Sequence, residues 1–394
     1  MSTRRIARMK VGRIAVAGLL VALAGCATVP EKPKLIELMW PEPPLTPRIK
    51  FVRTLASDRD LGHAPNFTDL LLEAVAGKKP LAGHLAEPMD IAVSDDGQRV
   101  YVSDHGQGLV YRFDLEKKEL TLLGKDRSFD RPFGVALDSA ENLYVVEQAA
   151  KRITVLDRAG KLVKTLLDPS LERPTDIAID RERGRIYVAD PARKESAEHT
   201  VKVFNLDGKL LEKVGKDKGK CEGCLYFPTY VTVDREGRLY VTNTMSARVD
   251  VFGPDGRYLR RFGERGTDFG MFDRPKGVAL DSFGNLYVVD SGWSNVQIFN
   301  GKGEVLLFFG GRGAYPGLLK NPSGIAIDGK NRIYVADYLN YRVSVYELVN
   351  TTAEDAFRTL PTAGKAGKEG GEATPKTVGT GMPQKNQAKG GGKR

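Results

Sequence analysis

The chain has 394 residues, room for two or three ordinary domains or for one large repeat domain. Its net charge of +10 sits at the ends: residues 1–13 hold five basic residues and no acid, and residues 361–394 hold seven basic residues against two acids, which leaves 14–360 neutral. A neutral body lacks the basic groove that nucleic-acid binding needs, so no nucleic-acid partner is expected.

Residues 1–25 read as an export signal. Behind the basic stretch lies Ile14 to Ala24, mostly apolar but short of the roughly 20 residues that a membrane-spanning helix needs. It ends in Leu23-Ala24-Gly25-Cys26. This resembles the bacterial lipobox, where the signal is cut before a cysteine that then carries lipid. The likeness implies a membrane anchor at Cys26 and a place in the bacterial cell envelope. Ala27 leans this towards the outer membrane, facing the periplasm or the cell surface. Arg4-Arg5 keeps a twin-arginine route open as an alternative. Residues 26–47 hold Pro30, Pro33, Pro41, Pro43, Pro44 and Pro47, and an extended semi-rigid stalk is expected there.

Residues 48–56 read as one strand, Arg48-Ile49-Lys50-Phe51-Val52-Arg53-Thr54-Leu55. Residues 57–84 read as an insertion. In it Asn66 to Asp69 supply N-cap residues, Leu70 to Ala76 favour helix, and Gly77 and Pro80 stop it. That helix is expected to pack Leu71, Leu72 and Val75 on the body. Residues 350–394 are rich in Gly, Lys, Thr and Pro and are expected to form a disordered basic tail.

Residues 85–349 repeat. Tyr101, Tyr144, Tyr187, Tyr240, Tyr287 and Tyr334 are spaced by 43, 43, 53, 47 and 47 residues. Pro88, Pro132, Pro174, Pro228, Pro275 and Pro322 open the units. Each unit holds three short stretches of period-two apolar patterning with turns between them. A fourth follows in four units, for example Leu162 to Leu166 and Val305 to Phe309. Four short strands per unit predict a propeller blade. The sixth unit lacks its fourth strand, and residues 48–55 look like 161–167 down to the shared Thr-Leu. The fold expected is an all-β, six-bladed β-propeller of four-stranded antiparallel blades. It is closed by the N-terminal strand, carries one short helical insertion and is monomeric.

These units resemble the NHL-repeat family. Copy six carries its pattern almost throughout, in Pro322, Gly324, Asp328, Tyr334, Asp337, Asn340 and Arg342. The acid ending the second strand is Asp104, Glu147, Asp190, Asp290 or Asp337, with Asn243 in the fourth copy. Recurrence in every blade argues for a turn hydrogen bond or an Asp–Arg pair rather than chemistry. The lipobox, the Pro-rich run and the closing strand together are similar to bacterial six-bladed propeller lipoproteins, which implies an envelope protein as partner.

Strands a to d alternate in direction, so the d–a and b–c loops share one face and the a–b and c–d loops the other. Both chain ends are expected to leave from the a–b/c–d face, with the basic tail beside anionic headgroups. The d–a/b–c face would then point away from the membrane. Its loops carry His105, Met245, Trp293, Tyr338 and Tyr341, residue types favoured at binding patches, which makes it the candidate binding face.

Cys221-Glu222-Gly223-Cys224 replaces a Gly-rich d–a loop. In an oxidising envelope a local disulfide is expected. A redox-active dithiol and a metal site shared with His199 remain alternatives. Asp90, Asp176 and Tyr230 replace the early Gly of the repeat at the channel mouth, where a cation or polar ligand is one reading and a turn role the other. The four histidines are scattered, and neither a nucleophile motif nor a phosphate loop is present. No catalytic residue and no bound cofactor are therefore expected, and a binding scaffold ranks ahead of a metal-dependent hydrolase or lyase at the channel mouth.

Overall fold

Six stretches beginning near the opening prolines converge as inner strands. The computed structural model describes residues 37–62, 83–125, 128–193, 195–196, 198–216 and 221–352. Blades one to five run outward in chain order, each a four-stranded antiparallel sheet. Blade one comprises Pro88–Val93, Arg99–Asp104, Leu109–Asp114 and Glu119–Leu123. Blade three, whose first strand starts at Asp176 rather than at its proline, ends with Leu210–Val214. Blade six takes Ile325–Ile327, Arg332–Asp337 and Arg342–Leu348 from the end of the chain and Ile49–Leu55 from its beginning.

The closing strand pairs antiparallel with strand c, with Ile49 opposite Leu348 and Leu55 opposite Val343. Each hydrophobic cluster lies between two neighbouring blades. The cluster joining five to six holds Ile49, Phe309, Ile333 and Tyr346, and the one joining six to one holds Leu55, Ile91, Val102 and Tyr334. Period-two strands have two apolar faces here because both sides of a blade are covered.

The proline-rich segment departs from the stalk expected through residue 47. Trp40–Pro41 and Pro43–Pro44 are cis, the chain turns back, and Met39–Trp40 add a fifth strand outside the closing one. Trp40 packs 6.0 Å from Phe309 and 5.8 Å from Tyr346, so burying an aromatic ring outweighs extension. This reversal sets the direction of the first described residues. Leu38 accepts a hydrogen bond from Phe51 N and lies against Gly317 in the d–a loop. Read upstream, Trp40 to Glu37 therefore run along the rim towards the d–a/b–c face, whereas Val349 lies beside Arg48 at the other face. Residues 1–36 and those from 353 on, whose shared exit was expected, lie outside the described residues.

In the insertion, Asp58–Leu61 form a single 3-10 turn capped by Gly62. The expected helix at Leu70 to Ala76, the signal segment, Cys26 and the tail from residue 353 lie outside the described residues. If ring closure sets stability, Leu55→Ala should cost about 2–5 kcal/mol in denaturant unfolding, the range for truncating a buried leucine. Leu162→Ala, on an exposed outer strand, should shift it by less than about 0.5 kcal/mol.

Candidate functional site

At the axis the inner strands come within backbone contact. A Cβ on Gly134 would lie 2.5 Å from Asp176 Cα, and one on Gly324 would lie 2.7 Å from Asp90 Cα. Glycine is the residue that permits this approach. Blades one, three and four instead place Asp90, Asp176 and Tyr230 there, and all three are buried.

They form a cross-axis lock. Asp90 Oδ2 accepts from Val135 N of blade two at 2.9 Å, and Asp176 Oδ2 accepts from Val231 N of blade four at 2.8 Å. Tyr230 OH reaches across to donate to Met89 O of blade one at 3.2 Å. Burial pushes the Asp90 carboxyl up to about 6, against the opposing effect of the Val135 N–H and the hydrogen bond to Asp176. Burial first, and then the Asp90 charge, hold Asp176 well above the usual carboxylate range. Each carboxyl is thereby biased towards its protonated form, as expected of two buried carboxyl groups that oppose each other's ionisation. Burial and these two charges keep Tyr230 a neutral phenol. Below the lock runs a channel of about 250 Å³ lined by the a strands. Arg181 pairs with Asp95 at 2.7 Å near its far end. Among the described residues no group of three His, Cys, Asp or Glu side chains could hold a metal ion.

The strand-end acids perform the turn role. Asp290 accepts from the backbone N–H of Asp273, Arg274, Gly292 and Trp293. Glu147 and Asp337 pair with Arg152 and Arg342. Blade three has no such arginine, and Lys202 takes its place, with Nζ 2.5 Å from Asp190 and both fully buried. In blade four the charge has moved: Asn243 at the strand end donates to Asp250, which pairs with Arg248. Arg248 also donates to the Cys224 carbonyl at 3.0 Å. Cys221 and Cys224 are joined in a disulfide. His199, the alternative metal partner, is buried against Tyr226 and Phe227, with ring centroids 5.4 and 5.1 Å away.

On the d–a/b–c face, Met245 is 50% exposed, Tyr341 50% and Trp293 39%. His105 and Tyr338 are half-buried: His105 packs edge-on to Phe133, and Tyr338 lies beside Glu87. Reading the b–c loops alone missed residues in the d–a loops. Phe269, 75% exposed, stacks on Phe308 at 5.2 Å, and Tyr315 is exposed in the next loop. Their signal was an aromatic in each Gly-rich loop, Gly266 to Gly270 and Gly313 to Gly317. The exposed aromatic side chains of this face among the described residues thus gather over blades four to six, while Leu167 is exposed at the d–a end of blade two.

Comparison with known proteins gives two family matches. Residues 319–346 match the NHL repeat, and residues 71–179 match the family described as Lactonase, 7-bladed beta-propeller. The chain is a six-bladed propeller whose sixth blade carries an NHL repeat. A 140-residue stretch is 29% identical to Protein brain tumor of Drosophila melanogaster, covering 34% of this chain and only 12% of that protein. XC5397 from Xanthomonas campestris, a gluconolactonase, superposes with TM-score 0.53 at 21% identity, covering 76% of this chain and 98% of it. An auxiliary nutrient binding protein from Bacteroides ovatus gives TM-score 0.52 at 14% identity, covering 67% and 70%. These two likenesses are of fold, and the fold serves both an enzyme and a binder. The expectation that the chain is no enzyme is overturned by the lactonase-family match, whose segment contains both Asp90 and Asp176.

Both carboxyl groups have folded values raised above the ordinary one, so their stabilising contribution is full below the ordinary carboxylate range and is lost as pH rises through the folded values, about 6 for Asp90. Asp176→Asn keeps an acceptor for Val231 N and a permanent donor for Asp90. It should raise the thermal midpoint at pH 8 by about 2–5 °C and leave it unchanged at pH 4. An equal loss at both pH values would refute the raised Asp176 carboxyl.

Proposed function

We propose that this chain is a lipoprotein of the bacterial envelope, anchored through Cys26, whose propeller docks an envelope protein on its d–a/b–c face. The observation that carries the reading is the grouping of Met245, Phe269, Trp293, Tyr315 and Tyr341, all exposed, on blades four to six. On the b–c loops of blades one to three no large apolar side chain is comparably exposed among the described residues. A sector of this kind on one side of a propeller is costly to leave in water and suits a partner with an apolar anchor surface. The disulfide and the buried ion pairs keep the loops of that face in place, which lowers the ordering cost of binding.

Two separable outcomes test this. Cys26→Ala should release the protein from the membrane fraction and abolish lipid labelling. Trp293→Ala with Tyr341→Ala should leave anchoring and the thermal midpoint intact. It should weaken capture of the crosslinked envelope partner by about thirtyfold or more, as loss of one interface anchor of about 2 kcal/mol would do. Undiminished capture refutes the face.

The lactonase-family match favours a second reading, a hydrolase or lyase working at the axis with the carboxyl pair as its acid and base. Turnover of a lactone panel that disappears in Asp90→Asn, with folding intact, would support it, and no turnover by the wild-type chain would remove it.

A further inference from the structure

The residue after each opening proline forms a ring around the axis at the d–a/b–c end: Met89, Phe133, Thr175, Thr229, Lys276 and Ser323. The ring is stitched by backbone bonds. Gly134 N donates to Thr175 O, Gly277 N to Ser323 O and Gly324 N to Met89 O, each at 2.9 Å. Its short side chains lean to the next blade: Thr175 Oγ1 donates to Thr229 O at 2.9 Å, and Ser323 Oγ to Met89 O at 2.7 Å. In blade five this place is held by Lys276, whose four-carbon arm is too long for such a bond.

Among the described residues no carboxylate lies within ion-pair distance of Lys276, and no group accepts a hydrogen bond from it. Burial draws its pKa down to about 8, with the Arg274 cation adding to the effect. The other cations near the ring, Arg131, Arg173 and Arg274, each follow an acid directly in sequence: Asp130, Glu172 and Asp273. Arg274 Nε lies 3.5 Å from Asp273. Glu87 is engaged by Tyr338. The carboxyl pair one residue deeper is turned to Val135 N and Val231 N. One ammonium is therefore left unbalanced in a half-buried place, a costly state that an anion from outside relieves. Met89 and Phe133 are members of the same ring of positions, Met89 O accepts from Tyr230 OH, and His105 packs edge-on to Phe133. A single cation in a ring that also holds apolar and aromatic members suits a ligand with one negative charge and an apolar body.

We propose that Lys276 anchors a site for a small organic carboxylate at the d–a/b–c mouth of the axis. The site shares its face with the protein-docking reading but does not need the aromatic sector. Benzoate is a suitable probe, titrated against the full chain by ligand-observed NMR, with inorganic phosphate as the control anion. Benzoate should bind, Lys276→Gln should weaken it about tenfold or more, and Lys276→Arg should retain most of the affinity. Trp293→Ala with Tyr341→Ala should leave benzoate binding unchanged, so the docking face can fail while this site stands, and the reverse. Thermal midpoints of both Lys276 variants establish that each is folded. Three results overturn the proposal: benzoate binds Lys276→Gln as well as wild type, phosphate binds as tightly as benzoate, or neither anion binds.

Discussion

Crowding at the axis is the constraint on which the rest depends. Six strands meet where Gly134 and Gly324 leave no room for a Cβ, so any side chain put there must be accommodated by the blades around it. Asp90 and Asp176 are accommodated because each reaches the backbone N–H of the next blade, and because burial and their mutual repulsion favour the protonated carboxyl. Tyr230 joins blade four to blade one across the centre. At this depth the three side chains form a hydrogen-bonded lock between blades. What remains accessible is the ring above it.

Outside the axis the same problem recurs at each b–c loop, and it is solved by polar groups that differ from blade to blade. A buried acid at the strand end binds the incoming d–a loop, and its charge is met by arginine, by Lys202 or by backbone N–H groups alone. Blade four shifts the acid to Asp250 and hands the strand end to Asn243. A buried carboxylate without such partners would be untenable, so the variation is compensated each time. The outcome is one face whose loops are held from beneath, and on it lie both the exposed aromatic sector and Lys276.

The d–a/b–c face is defined by its loops and not by a direction in the envelope. The reversal after Trp40 lays Met39–Trp40 antiparallel along the closing strand of blade six, where an extended stalk was expected. Trp40 was the signal in the sequence, a large aromatic inside a proline run that a free stalk would leave exposed. The lactonase-family match likewise keeps chemistry at the axis open, although the histidines are scattered.

Periodicity alone determined the architecture. Six tyrosine anchors, six prolines and a missing fourth strand specify six blades and a ring closed by Ile49 to Leu55, because side-chain alternation and turn chemistry are local properties. The Cys221–Cys224 pairing was legible for the same reason, since its partners lie three residues apart. The tertiary structure decided what long-range packing controls. It made Asp90 and Asp176 partners, though 86 residues separate them in the chain. It matched Lys202 to Asp190, brought Phe269 onto Phe308, and left Lys276 without an ion-pair partner among the described residues. Which charge finds a partner depends on distances between blades, and no local pattern in a chain encodes those.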